Sequence, residues 1–481
     1  MAFAKSPATA PPPSPGAEPG LERGLNLRGA LALNLIDMVG VGPFLTIPLI
    51  VQAMGGPQAM LGWILGAGLA LCDGWIWAEL GATFPGAGGT YQYLSQIFGP
   101  RRWGRLFSFL FVWQTLFSAP LLMASGCIGL ALYATYLWPA LDHPLFSLGA
   151  HISISHATLL AMATSLLALA LAWQQTRWIN RVSQWLWAGV AGTILWVIFA
   201  GVTHFDAHRA FTFPPHAFRF SSGFLAGLGS ALVIAIYDFW GYETANFMAA
   251  EVRQPERNLP RAILGSIAVV SVVYLVMNIS VLGVVPWQEL MGSSARPVQS
   301  FVVSVFMERI YGSGAARVVT GLIVWTAFAS VFSLLLGYSR VLYAAAVDGN
   351  FLAGFARLHP RKHFPGVALL TLGLVTTAFC VFRLSDVIAA LVAISLLLKY
   401  LLQAVGLLVL RRRRPQAPRP YRMPGYPLPA LIAIAGFVFL LLAPAGALRE
   451  LSYAGAILLA GLLVFLARAR RQRAWPFAGP G

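Results

Sequence analysis

Apolar residues along this chain come in long blocks separated by short segments in which Gly, Pro and Arg concentrate. At about 20 residues per membrane-crossing helix, the blocks predict twelve helices, at about 27–52, 58–83, 103–138, 155–174, 180–203, 222–250, 260–286, 314–347, 364–383, 385–411, 427–447 and 449–470. Nothing between them is long enough for a soluble domain. Residues 1–24, with PATAPPPSPGAEPG, contain no apolar core of a signal peptide and predict a disordered tail. Residues 474–481 predict a second tail.

Two blocks break the pattern. The first, Leu31–Gln52, is interrupted by Gly40-Val41-Gly42-Pro43 and carries Asp37 just before the interruption. Two glycines weaken a helix, and Pro43 supplies no backbone N–H. A carboxylate near the bilayer centre costs roughly 2.5–3.5 kcal/mol on insertion scales. The sixth block carries Asp238 and Glu243 around Phe239-Trp240-Gly241. On an unbroken helix these acids would point about 140° apart, whereas a break near Trp240-Gly241 lets both face a cavity. Interrupted backbone at membrane depth is tolerated where it faces protein or water, and a pair of discontinuous helices in corresponding halves points to a transporter's binding site. The blander readings are a Pro-kinked packing helix for the first block and acids paired with bundle cations for the sixth.

Other polar positions inside blocks are Gln114 and Ser118 in the third, Ser330 and Ser333 in the eighth, and Asp73, of unassigned role, in the second. Isolated Ser or Thr in a span usually bonds its own backbone. Lys399 lies twelve residues before Arg411, about 18 Å deeper on a helix, beyond the reach of snorkelling. It is either the ion partner of a buried carboxylate or a residue on a wet path. Tyr91–Phe98 predicts a short amphipathic helix at the membrane interface, a gating element or a plain connector.

Composition fixes the class. Of 481 residues, 58% are hydrophobic and 10% charged, with a mean hydropathy of +0.73; soluble domains carry about 25% charged residues. The net charge of +17 would suggest nucleic acid in a soluble protein. Here most Lys and Arg, including Arg101, Arg102, Arg253, Arg257, Arg261, Arg361, Lys362, Arg411–Arg414 and Arg468–Arg473, fall on one side of the membrane if both termini are cytoplasmic, which is the positive-inside pattern. That places an integral, multi-pass protein in the plasma (inner) membrane, with no nucleic-acid partner. Cys72, Cys127 and Cys380 sit in apolar blocks and all eight His lie in loops or near helix ends. No disulfide framework, haem, metal site or other cofactor is expected, nor a nucleophile–base constellation for an enzyme. A channel would need a continuous polar lining, yet the polar residues cluster at one depth. A non-transporting sensor stays open.

Five ordered blocks carry a family resemblance: Gly40-Val41-Gly42-Pro43-Phe44; Ala78-Glu79-Leu80 with PGAGGTY; EVRQPERNLPRAI at Glu251–Ile263; GYSRVLYAAAVDG; and RPYRMPGYPLPA. Together they resemble the amino acid–polyamine–organocation (APC) transporter superfamily, nearest its L-type amino acid transporter and polyamine–proton symporter branches. TRWINRVSQ looks like the fifth helix of the L-type branch. The resemblance implies a LeuT-like fold of two inverted five-helix repeats plus two C-terminal helices: a core over 25–411, with repeat one at about 27–203 and repeat two at about 222–411, then peripheral helices over 412–473.

It also implies roles. The opened turn at Gly40, Val41 and Gly42 presents N–H groups to a substrate carboxylate, as helix N-termini favour anions. Tyr237, Asp238, Phe239 and Trp240 offer carbonyls to the amino group, with Trp240 or Tyr237 as an aromatic lid. Glu243, with Asp37, couples protons. Three departures qualify this. Pro43 removes an N–H that many amino acid carriers have. The Lys of many relatives' fifth helix is absent from Trp187-Ala188-Gly189-Val190. The site is acidic, which favours a cationic substrate or a coupled proton. The expectation is a secondary active carrier of amino acids, proton-coupled or exchanging, with a polyamine or cationic amino acid carrier as the alternative. No outer-loop Cys is available for a disulfide-linked partner.

Overall fold

The computed structural model describes residues 23–148, 152–174, 176–291, 296–360, 364–442 and 447–477. Most of the two expected tails, Arg361 and Lys362, and the side chains of Thr176–Arg181 and Ser183 lie outside what is described. The chain is mostly helical, and it is an integral, multi-pass membrane protein. Seven described helices are long and apolar enough to cross a bilayer, and a bent pair makes an eighth. Shorter apolar helices run over His156–Ala172, Gly366–Phe379 and Leu428–Leu442.

Helix positions follow the apolar blocks closely in the straight spans. Met60–Thr83, Trp103–Leu137 and Ser313–Val347 sit where continuous apolar sequence gives nothing to interrupt the ladder. One feature corrects the all-α expectation. Pro144–Leu148 and Ile152–Ser155 pair as an antiparallel hairpin (β1 and β2) between the third and fourth blocks. Alternating residues in a loop that needs no lipid-facing helix allow it.

The two anomalous blocks are both broken. Helix Leu27–Val39 ends at Gly40, whose φ of 32° suits glycine, and helix Gly42–Met54 starts at a bend of 44°. Helix Ser222–Phe239 ends at an extended Trp240, followed by Gly241 with φ of 119°. It resumes only as a short turn, Thr244–Phe247, and a 3₁₀ turn, Ala249–Glu251. The tenth block is interrupted as well. Leu384–Ser395 and Gln403–Arg413 flank a π-helical turn at Leu396–Leu402 that contains Lys399. Such turns insert one residue into the ladder and often occur at functional sites.

The resemblance-carrying blocks meet one another at the Arg-rich end of the bundle. Glu79 is fully buried and accepts a two-pronged bond from Arg411 (2.9 and 2.5 Å) and one from the Met423 backbone N–H (2.7 Å). Arg340 pairs with Glu251 at 3.0 Å, both buried. The Tyr91 hydroxyl bonds Asp348 at 2.9 Å, and the amphipathic helix that carries it runs over Thr90–Phe98. Burial first, and the nearby Glu79 carboxylate second, hold the Tyr421 hydroxyl above its ordinary pKa. It therefore stays neutral at physiological pH.

Candidate functional site

The two breaks touch. A Cβ on Gly241 would lie 2.6 Å from the Met38 backbone nitrogen and 2.8 Å from the Asp37 carbonyl carbon. A Cβ on Gly42 would lie 2.2 Å from the Asp238 carboxylate. Glycine at 241 lets the two interrupted backbones approach, and glycine at 42 leaves room for the Asp238 side chain. The Tyr274 hydroxyl, from helix Pro255–Val284, reaches both Met38 O and Asp238 O (3.0 Å to the latter), the carbonyls left open near the end of each first half-helix. No sequence signal singled out Tyr274. Removing that hydroxyl by Tyr274→Phe leaves buried carbonyls short of a donor. The expected cost is about 1–3 kcal/mol of stability together with weaker substrate binding, read by thermal unfolding and by binding on the same preparation.

Around this contact lies a small cavity lined by Asp37, Gly40, Gly42, Tyr237, Asp238 and Trp240, with Ser330 on the facing wall. Val41 lines it too. The cavity measures about 30 Å³, room for little more than one water. A larger ligand therefore requires the walls to part. Buried polar atoms without partners gather here. They include both Asp37 oxygens, Asp238 Oδ1 and Trp240 Nε1. Buried polar groups are ordinarily paired, so a concentration of unpaired ones marks a place where a polar ligand can bind. The other Asp238 oxygen accepts from Thr46 at 2.5 Å. At the turn, Gly40 N bonds Ile36 O and Phe44 N bonds Val41 O. The Val41 and Gly42 N–H groups open the second half-helix, where intrahelical acceptors are lacking.

The sixth-block carbonyls are partly committed. Tyr237 O accepts from Trp240 N at 3.3 Å, and Asp238 O from Tyr274. Phe239 turns away from the cavity, its ring 6.2 Å from Trp63 and 5.4 Å from Tyr274. The two lid candidates are held differently. Tyr237 bonds Ser125 at 2.9 Å, while Trp240 stacks on Tyr400 with centroids 5.3 Å apart.

The third long helix meets the cavity at Leu122, Ser125 and Gly126. Gln114 and Ser118, expected to contact substrate, lie one to about three turns away along that helix and do not line the cavity. Both polar atoms of the buried Gln114 lack partners. The adjacent small residues Ser125-Gly126 were the available signal for the correct turn.

Glu243 and Lys399 form a buried ion pair behind Trp240. Glu243 also accepts from the Tyr400 hydroxyl (3.2 Å) and the Gly241 N–H (3.2 Å), and Lys399 donates to the Tyr338 hydroxyl at 3.1 Å. The ammonium sits within 5.0–5.7 Å of the ring centroids of Tyr400, Phe247, Tyr338 and Trp240. This cation–π surround offsets part of its lost hydration. Of the two sequence readings of Lys399, the structure selects the ion partner. Neither Glu243 nor Lys399 lines the cavity, and Ser333 faces Asp37 from just outside its lining. Asp73 accepts from Tyr242 at 2.6 Å, tying the second block to the sixth-block break. Among the described residues, no group of His, Cys, Asp or Glu is placed to hold a metal.

The family model described as amino acid permease matches residues 25–467. The chain is 25% identical over 464 residues to the branched-chain amino acid permease BcaP of Lactococcus lactis, covering 93% of this chain and 95% of that one. It is 28% identical over 427 residues to the human Asc-type amino acid transporter 1, covering 86% and 75%. With the human cationic amino acid transporter 4 it shares 26% over 401 residues, covering 80% and 59%.

Proposed function

The chain belongs to the amino acid permease family, a family of transporters and not enzymes, and on that premise we propose that it is a secondary active transporter working by alternating access. The reading takes twelve membrane crossings in a LeuT-like arrangement of two inverted five-helix repeats, with two further helices at the C-terminal side. The positive-inside pattern supports cytoplasmic termini and a plasma or inner membrane location. The observation that carries the proposal is the close approach of the two helix breaks, with Asp37 and the free Oδ1 of Asp238 beside it and no counter-ion on either carboxylate among the described residues.

In this reading an amino acid seats between the breaks. Its carboxylate meets the Val41 and Gly42 N–H groups at the start of a half-helix, where the helix dipole favours negative charge. Its amino group meets Asp37 and the free oxygen of Asp238. Ser330 and the backbone at Gly40 close one side. Trp240 and Tyr237 move to admit substrate, since the closed cavity is smaller than any amino acid. Moving Trp240 breaks its stack on Tyr400 and brings water to the Glu243–Lys399 pair. This makes Glu243, with Asp37, the group whose protonation follows opening and closing.

Uptake into proteoliposomes is expected to depend on a pH gradient, and Glu243→Gln is expected to remove that dependence. Unchanged gradient dependence in the variant would retire the proton role. Two carboxylates at the cavity with no counter-ion among the described residues favour a second reading, a carrier of cationic amino acids or polyamines. A thermal-shift panel of alanine, leucine, arginine and putrescine separates the two, because stabilisation by arginine and putrescine alone selects the cationic substrate.

A further inference from the structure

At the Arg-rich end of the bundle, away from the helix breaks, a cavity of about 520 Å³ opens between helix Gln403–Arg413 and the segment leading to helix Leu428–Leu442. Its walls include Arg411, Arg412, Arg419, Arg422, Tyr426 and Leu431. Two of these arginines are committed to structure. Arg411 forks onto the buried Glu79 and stacks over Tyr426 at 4.0 Å. Arg419 donates to Pro415 O (2.9 Å), Ala417 O (3.2 Å) and Arg414 O (2.7 Å), and so holds the loop's shape. The other two, Arg412 and Arg422, are exposed and carry no ion pair or hydrogen bond among the described residues. Glu79 supplies a single negative charge against four guanidiniums, and it is already fully bonded.

The cavity's far side is apolar. Leu431 forms part of its wall, and Leu428 and Ile432 beside it are 62% and 46% exposed. In a membrane protein such exposed aliphatic side chains lie against acyl chains. A charged notch with two free guanidiniums, opening onto a lipid-facing helix, has the two-part chemistry of a phospholipid: a phosphodiester for the arginines and a hydrocarbon tail for the leucines. A soluble phosphate would use the first part and leave the second unexplained. We propose that this cavity binds the headgroup of an anionic membrane phospholipid, with the phosphodiester between Arg412 and Arg422 and the chains along Leu428, Leu431 and Ile432.

Native mass spectrometry of the full chain, titrated with phosphatidylglycerol or with phosphatidylcholine, tests this. The expected result is preferential retention of phosphatidylglycerol. Retention should fall about fivefold or more in Arg412→Gln/Arg422→Gln, which removes two charge-assisted contacts without touching the Glu79 network. Arg101→Gln/Arg102→Gln removes the same charge from exposed positions outside the cavity and should leave retention unchanged. Arg422→Gln alone serves as a second variant if the double variant does not fold. Equal retention of both lipids, equal retention by the variants, or equal loss in the Arg101/Arg102 control overturns the proposal. So does displacement of the lipid by millimolar inorganic phosphate, which would make this a soluble-anion site.

Discussion

Lys399→Met is expected to destabilise the protein by about 3–5 kcal/mol and to abolish uptake, because it leaves the Glu243 carboxylate buried without its counter-ion. The size follows from asymmetry. A buried pair adds little net stability, since each charge gave up water to get there, but one charge left alone keeps the full desolvation cost. Removing both charges at once avoids that penalty. Lys399→Met/Glu243→Gln should therefore be markedly more stable than Lys399→Met, while uptake loses its dependence on a pH gradient. Thermal unfolding of the two variants checks the first statement, and proteoliposome uptake the second. If the single and double variants unfold alike, the pair is not the reason for burying these charges.

Gly241→Ala is expected to reduce uptake by about two orders of magnitude or more, the scale set by misplacing a binding geometry by an ångström. Its added Cβ has nowhere to go. The Met38 nitrogen and the Asp37 carbonyl carbon are backbone atoms of the other broken helix, within 2.8 Å, so relief means pushing the two breaks apart. The φ of 119° adds strain for any L side chain. Gly349→Ala separates the two causes. Gly349 also has a positive φ, 69°, but no heavy atom lies within 4 Å of where its Cβ would be. It should cost only about 1 kcal/mol and leave uptake near wild type. Equal effects at both positions would mean that strain alone, and not contact between the breaks, explains the loss.

The interrupted helices were legible because lipid is an unforgiving solvent. Gly40-Val41-Gly42-Pro43 and Asp238-Phe239-Trp240-Gly241 are costly on a lipid-facing helix, so they point to a stretch that faces protein or water, with a break as one of its two readings. The same argument flagged Lys399 by its depth, but depth says nothing about which acid it meets. Its partner emerged only from the π turn at Leu396–Leu402, which aims the ammonium at Glu243 and at four aromatic rings. Gln114 and Ser118 are polar residues on a helix that does pass the cavity, and they share a face with Ser125, but the wall is met one to about three turns further along, at Leu122, Ser125 and Gly126. Polarity marks a face of the helix and not the depth at which the cavity meets it.

Sequence by itself determined the membrane class, the positions of the straight spans, the two break points and the acids beside them, because each follows from the cost of putting polar atoms or a broken backbone in hydrocarbon. Tertiary structure alone decided which groups meet: Tyr274 across both breaks, Asp73 on Tyr242, Glu243 on Lys399, Glu79 on Arg411. Those pairings join residues up to hundreds of positions apart, and they depend on the rotation and depth of each helix against its neighbours. Packing sets both, and no local pattern along the chain records it.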